Sequence, residues 1–220
     1  MTADYLWHHR DERKIHWIAW RKLCTQKKYG GFGFRDLKAF NAAMLAKQFW
    51  RILTEPDRLL SRVLKARYFP NTSILEAKVG YNPSFTWRSI LASKEIISRG
   101  ARWRVGMGTK INIWNDPWIP RSYCFKVITP ACSLRGLTTV NSLIDPVSLQ
   151  WNRALVIDNS HPADSDAILS IPTSRFGEQD KLVWHHTNNG VFSVRSAYYI
   201  AMNLEALSQP GTSTTNHTDN

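Results

Sequence analysis

Three tryptophans and two glycines crowd the nineteen residues from Arg102 to Pro120, RWRVGMGTKINIWNDPWIP. Indole rings at that density need a packed core, so this stretch cannot be a solvated linker. Val105, Ile111 and Ile113 supply β-branched residues on either side of Gly106-Met107-Gly108. That pattern predicts strand, turn, strand: a Trp-rich β-hairpin in which Trp103, Ile113, Trp114 and Trp118 belong partly to a core. Asp116-Pro117 stops the second strand, because proline cannot donate to a ladder. Arg102 and Arg104, two apart, share one strand face, where they can touch phosphate or stack on bases, or simply stand exposed beside the tryptophans.

The glycines invite a phosphate-cradling reading, which the spacing rejects. Gly106-Met107-Gly108-Thr109-Lys110 lacks the four residues a P-loop needs before its Gly-Lys pair. A dinucleotide fingerprint needs glycine where Ile111 stands, and Gly31-x-Gly33 meets Asp36 at the same place. Both are read as turns.

Upstream, Asp36 is placed to cap a helix over residues 37–53, with Leu37, Phe40, Met44, Leu45, Phe49 and Ile52 at helical spacing. A second helix fits 57–68, where Leu59, Leu60, Val63 and Leu64 fall on one side and Arg58, Arg62 and Lys65 on the other. Lys47 and Arg51 share a face one helix earlier. A polar loop with Pro70, Gly80 and Pro83 follows, then a helix over 86–99 ending at Gly100. Short helices fit 147–156 and 163–170. KLVWHH-TNNG-VFSV reads as a second hairpin, followed by a helix over SAYYIAMNLEAL capped by Ser193 or Ser196.

Charge narrows the partner. Residues 1–120 hold 22 Lys and Arg against 9 Asp and Glu, while 121–220 hold 7 against 8. The formal net charge of +12 thus belongs to the first part, which also carries eight of the ten tryptophans. Cations along a helix face neutralise phosphates and release counterions, although many such faces are merely solvated. The expected partner is nucleic acid, RNA or DNA, with Lys47, Arg51, Arg58, Arg62, Lys65, Arg102 and Arg104 as the candidate contacts.

Other chemistries find no pattern. His8-His9, His16, Cys24, Cys124, Cys132 and His185-His186 lack metal-ligand spacing, so no metal or cofactor is expected. No Gly-x-Ser-x-Gly elbow occurs, and nothing orients a Cys24–His16 pair. Asp158, Asp164, Asp166 and Glu178 read as solvated loop acids rather than a two-metal site. Three cysteines argue against a disulfide framework. The charged start and the lack of a long apolar run predict an intracellular chain, in nucleus or cytoplasm, with no secretory signal, membrane span or small-molecule substrate.

The order of motifs resembles a known family. KIHWIAWRKLCTQKKYGGFGFRDLKAFNAAMLAKQFWRIL (Lys14–Leu53), RVLKARYFPNTS, P-S-x-x-W-R-S-I (Pro83–Ile90) and G-x-R-W-R-V-G-x-G-x-x-I-x-I-W-x-D-x-W (Gly100–Trp118) resemble the segment after the polymerase core in plant LINE-type, non-LTR retrotransposon reverse transcriptases. KLVWHHTNNGVFSVRSAYYIAM (Lys181–Met202) resembles the opening of the zinc-binding domain that follows there. The resemblance implies a connector beside a polymerase. It carries over no catalytic residue: the family's aromatic-x-Asp-Asp metal motif is absent, and the zinc ligands and ribonuclease H domain of such polyproteins are expected further along than this sequence reaches. The sum is an expected non-catalytic nucleic-acid-binding chain of α+β class. Its expected parts are a polar segment (1–13), a basic, mainly helical section with a Trp-rich hairpin (14–120) and an irregular linker with short helices (121–180). A truncated zinc-binding-like hairpin plus helix (181–207) and a disordered tail (208–220) complete it. Two rival readings stand beside it: a remnant without any partner, which predicts exposed apolar patches, and a reverse transcriptase or ribonuclease H enzyme, which needs three or four acids converging in one cleft.

Overall fold

The computed structural model describes residues 20–24, 27, 30–121, 124–130, 136–174 and 176–207. The expectations for residues 1–13 and 208–220, and for His8, His9, His16 and Cys132, lie outside them. The chain is α+β. Its elements run α1 (Trp20–Cys24), α2 (Leu37–Thr54), α3 (Leu59–Tyr68), α4 (Phe85–Ala92), α5 (Lys94–Ser98), β1 (Ala101–Arg104), a 3₁₀ turn (Val140–Leu143), α6 (Arg153–Asn159), α7 (Pro162–Leu169), β2 (Lys181–Trp184) and α8 (Val194–Leu207).

The first core is helical. Asp36 caps α2, its Oδ1 accepting from the Lys38 and Ala39 amides at 2.8 and 3.0 Å. Ala39, Ala43, Ala46, Phe49 and Ile52 then bury one stripe. Alanine at three of those places lets neighbouring helices approach closely, since side-chain size sets interaxial distance. The helix packs most extensively on α8, which buries Ala197, Ile200 and Ala201. The Tyr198 hydroxyl accepts from the Asp36 amide at 3.0 Å, and Lys38 pairs with Glu205 at 3.1 Å, so the start of α2 is fastened to α8. Trp87 of α4 is fully buried between Tyr68 and Phe69, with ring centroids at 4.8 and 5.5 Å.

The second core gathers Val105, Ile111, Ile113, Trp118 and Ile119 with Val140, Leu143, Trp151, Val156, Ile168 and Ile171. Trp118 donates to the Ile113 carbonyl and Trp151 to the Ile171 carbonyl, so both buried indoles of this core are satisfied. Trp103 and Trp114 pack against this core half-buried, as the sequence pattern predicts.

Neither predicted hairpin forms. Instead β1 pairs antiparallel with β2, in the register Ala101 opposite Trp184 through Arg104 opposite Lys181. The run expected to return, around Ile111 and Ile113, bonds to residues 138–140: Ile113 N–H to the Thr138 carbonyl and Val140 N–H to the Ile111 carbonyl. The Thr187–Gly190 turn does close, with the Trp184 amide donating to the Gly190 carbonyl, but VFSV leads straight into α8. Both expected hairpins thus reduce to one long-range strand pair that joins the two cores. Trp184, fully buried, reaches from β2 into the helical core against Trp50 and Phe192.

The helix expected over 86–99 breaks at Ser93, whose hydroxyl bonds back to the Ile90 carbonyl at 2.7 Å and competes with the helix backbone. The helix expected over 147–156 begins later, at Arg153. Residues 145–150 form a turn on the Asp145 carboxylate, and Asn152 caps α6. Ser193 stands before α8 and accepts at its carbonyl from the Ala197 amide. Ser196 lies inside the helix and takes the Trp184 indole N–H.

Candidate nucleic-acid interface

The seven candidate cations fall on three elements. Lys47 and Arg51 are half-buried on α2, continuing the stripe of Phe40 and Met44. Arg58 stands just before α3 and is ion-paired with Glu55. Arg62 and Lys65 are exposed on α3, and no ion pair engages them among the described residues. The apolar side expected of this helix is not buried as a unit. Only Leu64 goes under, with Ser61 beside it, whereas Leu59 is 76% exposed and Val63 55%. The helix therefore presents cations and apolar side chains to solvent together.

On β1 the two arginines differ. The Arg102 Nε donates to Nδ1 of His185 at 3.1 Å, and burial pushes its guanidinium below the ordinary arginine value. Burial first, then the Arg102 and His186 charges, hold His185 below the usual histidine range, which keeps that Nδ1 open as an acceptor. Arg104 is exposed and reaches Glu178 at 3.4 Å. Of the pair, Arg104 alone points a screened, replaceable ion pair at solvent.

The glycine loop does hold an anion, and it is internal. The Asp180 carboxylate accepts from the amides of Gly106, Gly108 and Lys110 at 2.8, 2.8 and 2.9 Å. A Cβ on Gly106 would stand 2.1 Å from the Glu178 carbonyl oxygen, so only glycine admits this approach. Successive amides in such a bend form an anion nest. Here it is filled by a side chain 72 residues away, so these amides are not available to phosphate.

Asp164 corrects the reading of solvated loop acids. It is fully buried, accepting from Arg121 Nη2 at 2.5 Å, from the Ile128 and Thr129 amides, and from the Thr129 hydroxyl. Burial alone would raise its carboxyl, but the Thr129 and Arg121 donors together hold it below the usual range. Asp158, Asp166 and Glu178 are exposed, as expected. Among the described residues no group of three His, Cys, Asp or Glu side chains is placed to hold a metal ion. Cys24 is buried, and that burial, with Asp36 nearby, pushes its thiol up.

Two features escaped the sequence reading. A groove of about 950 Å³ lies between α2 and α8, lined by Phe34, Phe40, Met44, Tyr198, Tyr199 and Met202 among others. The loop between α3 and α4, read only as polar, carries Tyr81 at 101% exposure, and Phe85, the first residue of α4 just beyond it, is 82% exposed. Aromatic residues in a Gly/Asn/Pro loop were the available signal.

No family model matches the sequence, and no solved structure does. Over 110 residues, half of this chain, it is 51% identical to an uncharacterized mitochondrial protein of Arabidopsis thaliana, covering 71% of that protein. Over 216 residues, 90% of this chain, it is 30% identical to an Arabidopsis thaliana protein provisionally named a ribonuclease H protein. The chain spans only 33% of that relative's length. The chain belongs to the same family as the Arabidopsis mitochondrial protein.

Proposed function

We propose that this member of the family is a non-catalytic, nucleic-acid-binding connector related to LINE-type retrotransposon reverse transcriptases, holding RNA or DNA by charge. The observation that carries the reading is the solvent face of α3. Arg62 and Lys65 stand exposed there, in the part of the chain where cations outnumber acids 22 to 9. The ordered motifs of Lys14–Leu53, Pro83–Ile90 and Gly100–Trp118 support the family resemblance, and a relative named for ribonuclease H fits a nucleic-acid setting. The two buried carboxylates among the described residues, Asp164 and Asp180, are saturated by donors from the chain itself, which favours binding over chemistry. Binding of this kind is sequence-independent and falls steeply with salt.

The test measures affinity for labelled single-stranded RNA and duplex DNA across a salt series. It compares the protein with an Arg58→Glu/Arg62→Glu/Lys65→Glu variant. Each lost phosphate contact lowers the log–log salt slope by roughly 0.7–0.9, so the triple variant should lose roughly 2.1–2.7 if all three contact phosphate. No binding by folded protein at low salt would reject the reading.

A second reading has its own observation. Leu59, Leu60 and Val63 are exposed on the same helix, and the ribonuclease H-named relative extends well beyond the matched third. On this view α3 leans against another part of a longer protein. Failure of both nucleic-acid probes would favour it.

A further inference from the structure

We infer that Tyr81 and Phe85 form a base-stacking platform for single-stranded nucleic acid, which rests on the nucleic-acid reading above and adds to it a substrate class. The backbone presents both rings deliberately. Gly80 and Asn82, on either side of Tyr81, both take left-handed φ values, +75° and +50°. That double reversal throws Tyr81 to the loop tip, where its ring is wholly in water. A left-handed conformation is cheap for glycine and more accessible to asparagine than to most other residues, so these two suit the reversal.

Phe85 opens α4. Ser84 caps the helix, its Oγ accepting from the Trp87 amide at 3.2 Å. Two residues apart on a helix, Phe85 and Trp87 face different ways: Trp87 is fully buried while Phe85 is exposed. The Ser84 amide donates to the Tyr68 hydroxyl at 3.0 Å, and the Tyr68 ring lies flat on Trp87, with planes 2° apart. The Ser84 end of the loop, next to Phe85, is thereby fastened to the helical core.

The chain on either side of the two rings is rich in cations. Lys65 and Arg67 lie on the last turn of α3, beside the Tyr68 anchor, and the Arg67 guanidinium sits 5.4 Å over the Tyr68 ring. Lys78 and Arg88 flank the loop, and all four are exposed. From residue 65 to residue 88 the sole acid is Glu76. Exposed rings on a segment whose exposed charges are mostly cations match a polyanion whose bases are free to stack. Every base has a π-face, so such recognition tolerates any sequence. In a duplex the bases are already stacked inside, out of reach of these rings.

The test uses the full chain and three labelled probes: oligo-dT, an abasic phosphodiester of equal length, and a blunt DNA duplex. Tyr81→Ala and Phe85→Ala are compared with Tyr81→Trp, with circular dichroism confirming the fold of each. Each alanine should weaken oligo-dT binding on the order of ten-fold, leaving the abasic and duplex affinities and the salt slope unchanged. Tyr81→Trp should retain wild-type affinity. Alanine variants that bind oligo-dT like wild type, while all three probes still show salt-steep binding, would overturn the platform and leave the charge reading standing. No binding to any probe would overturn both and hand the exposed rings to a protein partner.

Discussion

The helical core around Ala43 and Trp87 and the core around Ile113 and Trp118 bury the same kinds of side chain, yet they are assembled differently. In the first, five residues of α2 recur every three or four places and pack on neighbouring helices. In the second, irregular segments are drawn together by buried carboxylates: Asp180 onto the Gly106–Lys110 bend, and Asp164 onto Arg121 and Thr129. Periodic burial spreads stability over many small contacts. A carboxylate tether concentrates it in one group, whose loss strands several donors at once. The lesson is that the second core should be fragile at points and the first tolerant.

Substitutions at the two kinds of site sharpen that contrast. Asp164→Ala should have the largest effect, about 3–5 kcal/mol by urea unfolding, because it leaves the Arg121 guanidinium buried without its counter-charge. Far-ultraviolet circular dichroism should survive better than the fluorescence of Trp118 and Trp151. Equal loss of both would mean that the two cores unfold as one unit through the β1–β2 pair, and the contrast would fall. Ala43→Leu, in the close-packed stripe of α2, should cost about 2 kcal/mol by overpacking. A cost near that of Asp164→Ala would show the helical core to be equally brittle.

The smallest effect concerns His185, which bridges the regions through Arg102. Its folded value lies below the ordinary 6.5, so the unfolded chain takes up a proton first as pH falls. Its contribution is fully present above about pH 6.5 and declines on acidification below that value. His185→Gln keeps an acceptor for Arg102 and should flatten the urea midpoint between neutral and mildly acidic pH. An unchanged profile would assign the titration elsewhere.

Legibility follows the same divide. The bounds of α2 and the end of α3 were readable because a helix repeats every 3.6 residues, and Asp36 announces its own N-cap; α3 begins at Leu59, two residues later than the expected 57. The burial of Trp118 and Ile113 was readable from composition alone. The strand partner of β1 was not. A local rule favours the nearest β-branched run, Ile111–Ile113, while the real partner lies some eighty residues on at Lys181–Trp184. Asp164 and Asp180 were equally hidden. An isolated acid in a polar stretch has the same sequence signature whether it is solvated or holds a core.

The candidate interface divides likewise. Arg62 and Lys65 were visible as an exposed stripe, and the excess of cations over acids in residues 1–120 was a matter of counting. That Arg102 lies against His185, and that Arg58 pairs with Glu55, depended on neighbours brought close by folding. Tyr81 and Phe85 became a site only once Gly80, Asn82 and the Tyr68 hydroxyl turned a polar loop outward. What the sequence by itself determined was whatever is local and periodic: helices, caps, charge and the need for a tryptophan core. Tertiary structure alone decided which strand pairs with which, which acids are buried and which aromatics stay in water. Those outcomes rest on contacts between residues far apart in the chain, where no local pattern carries the information.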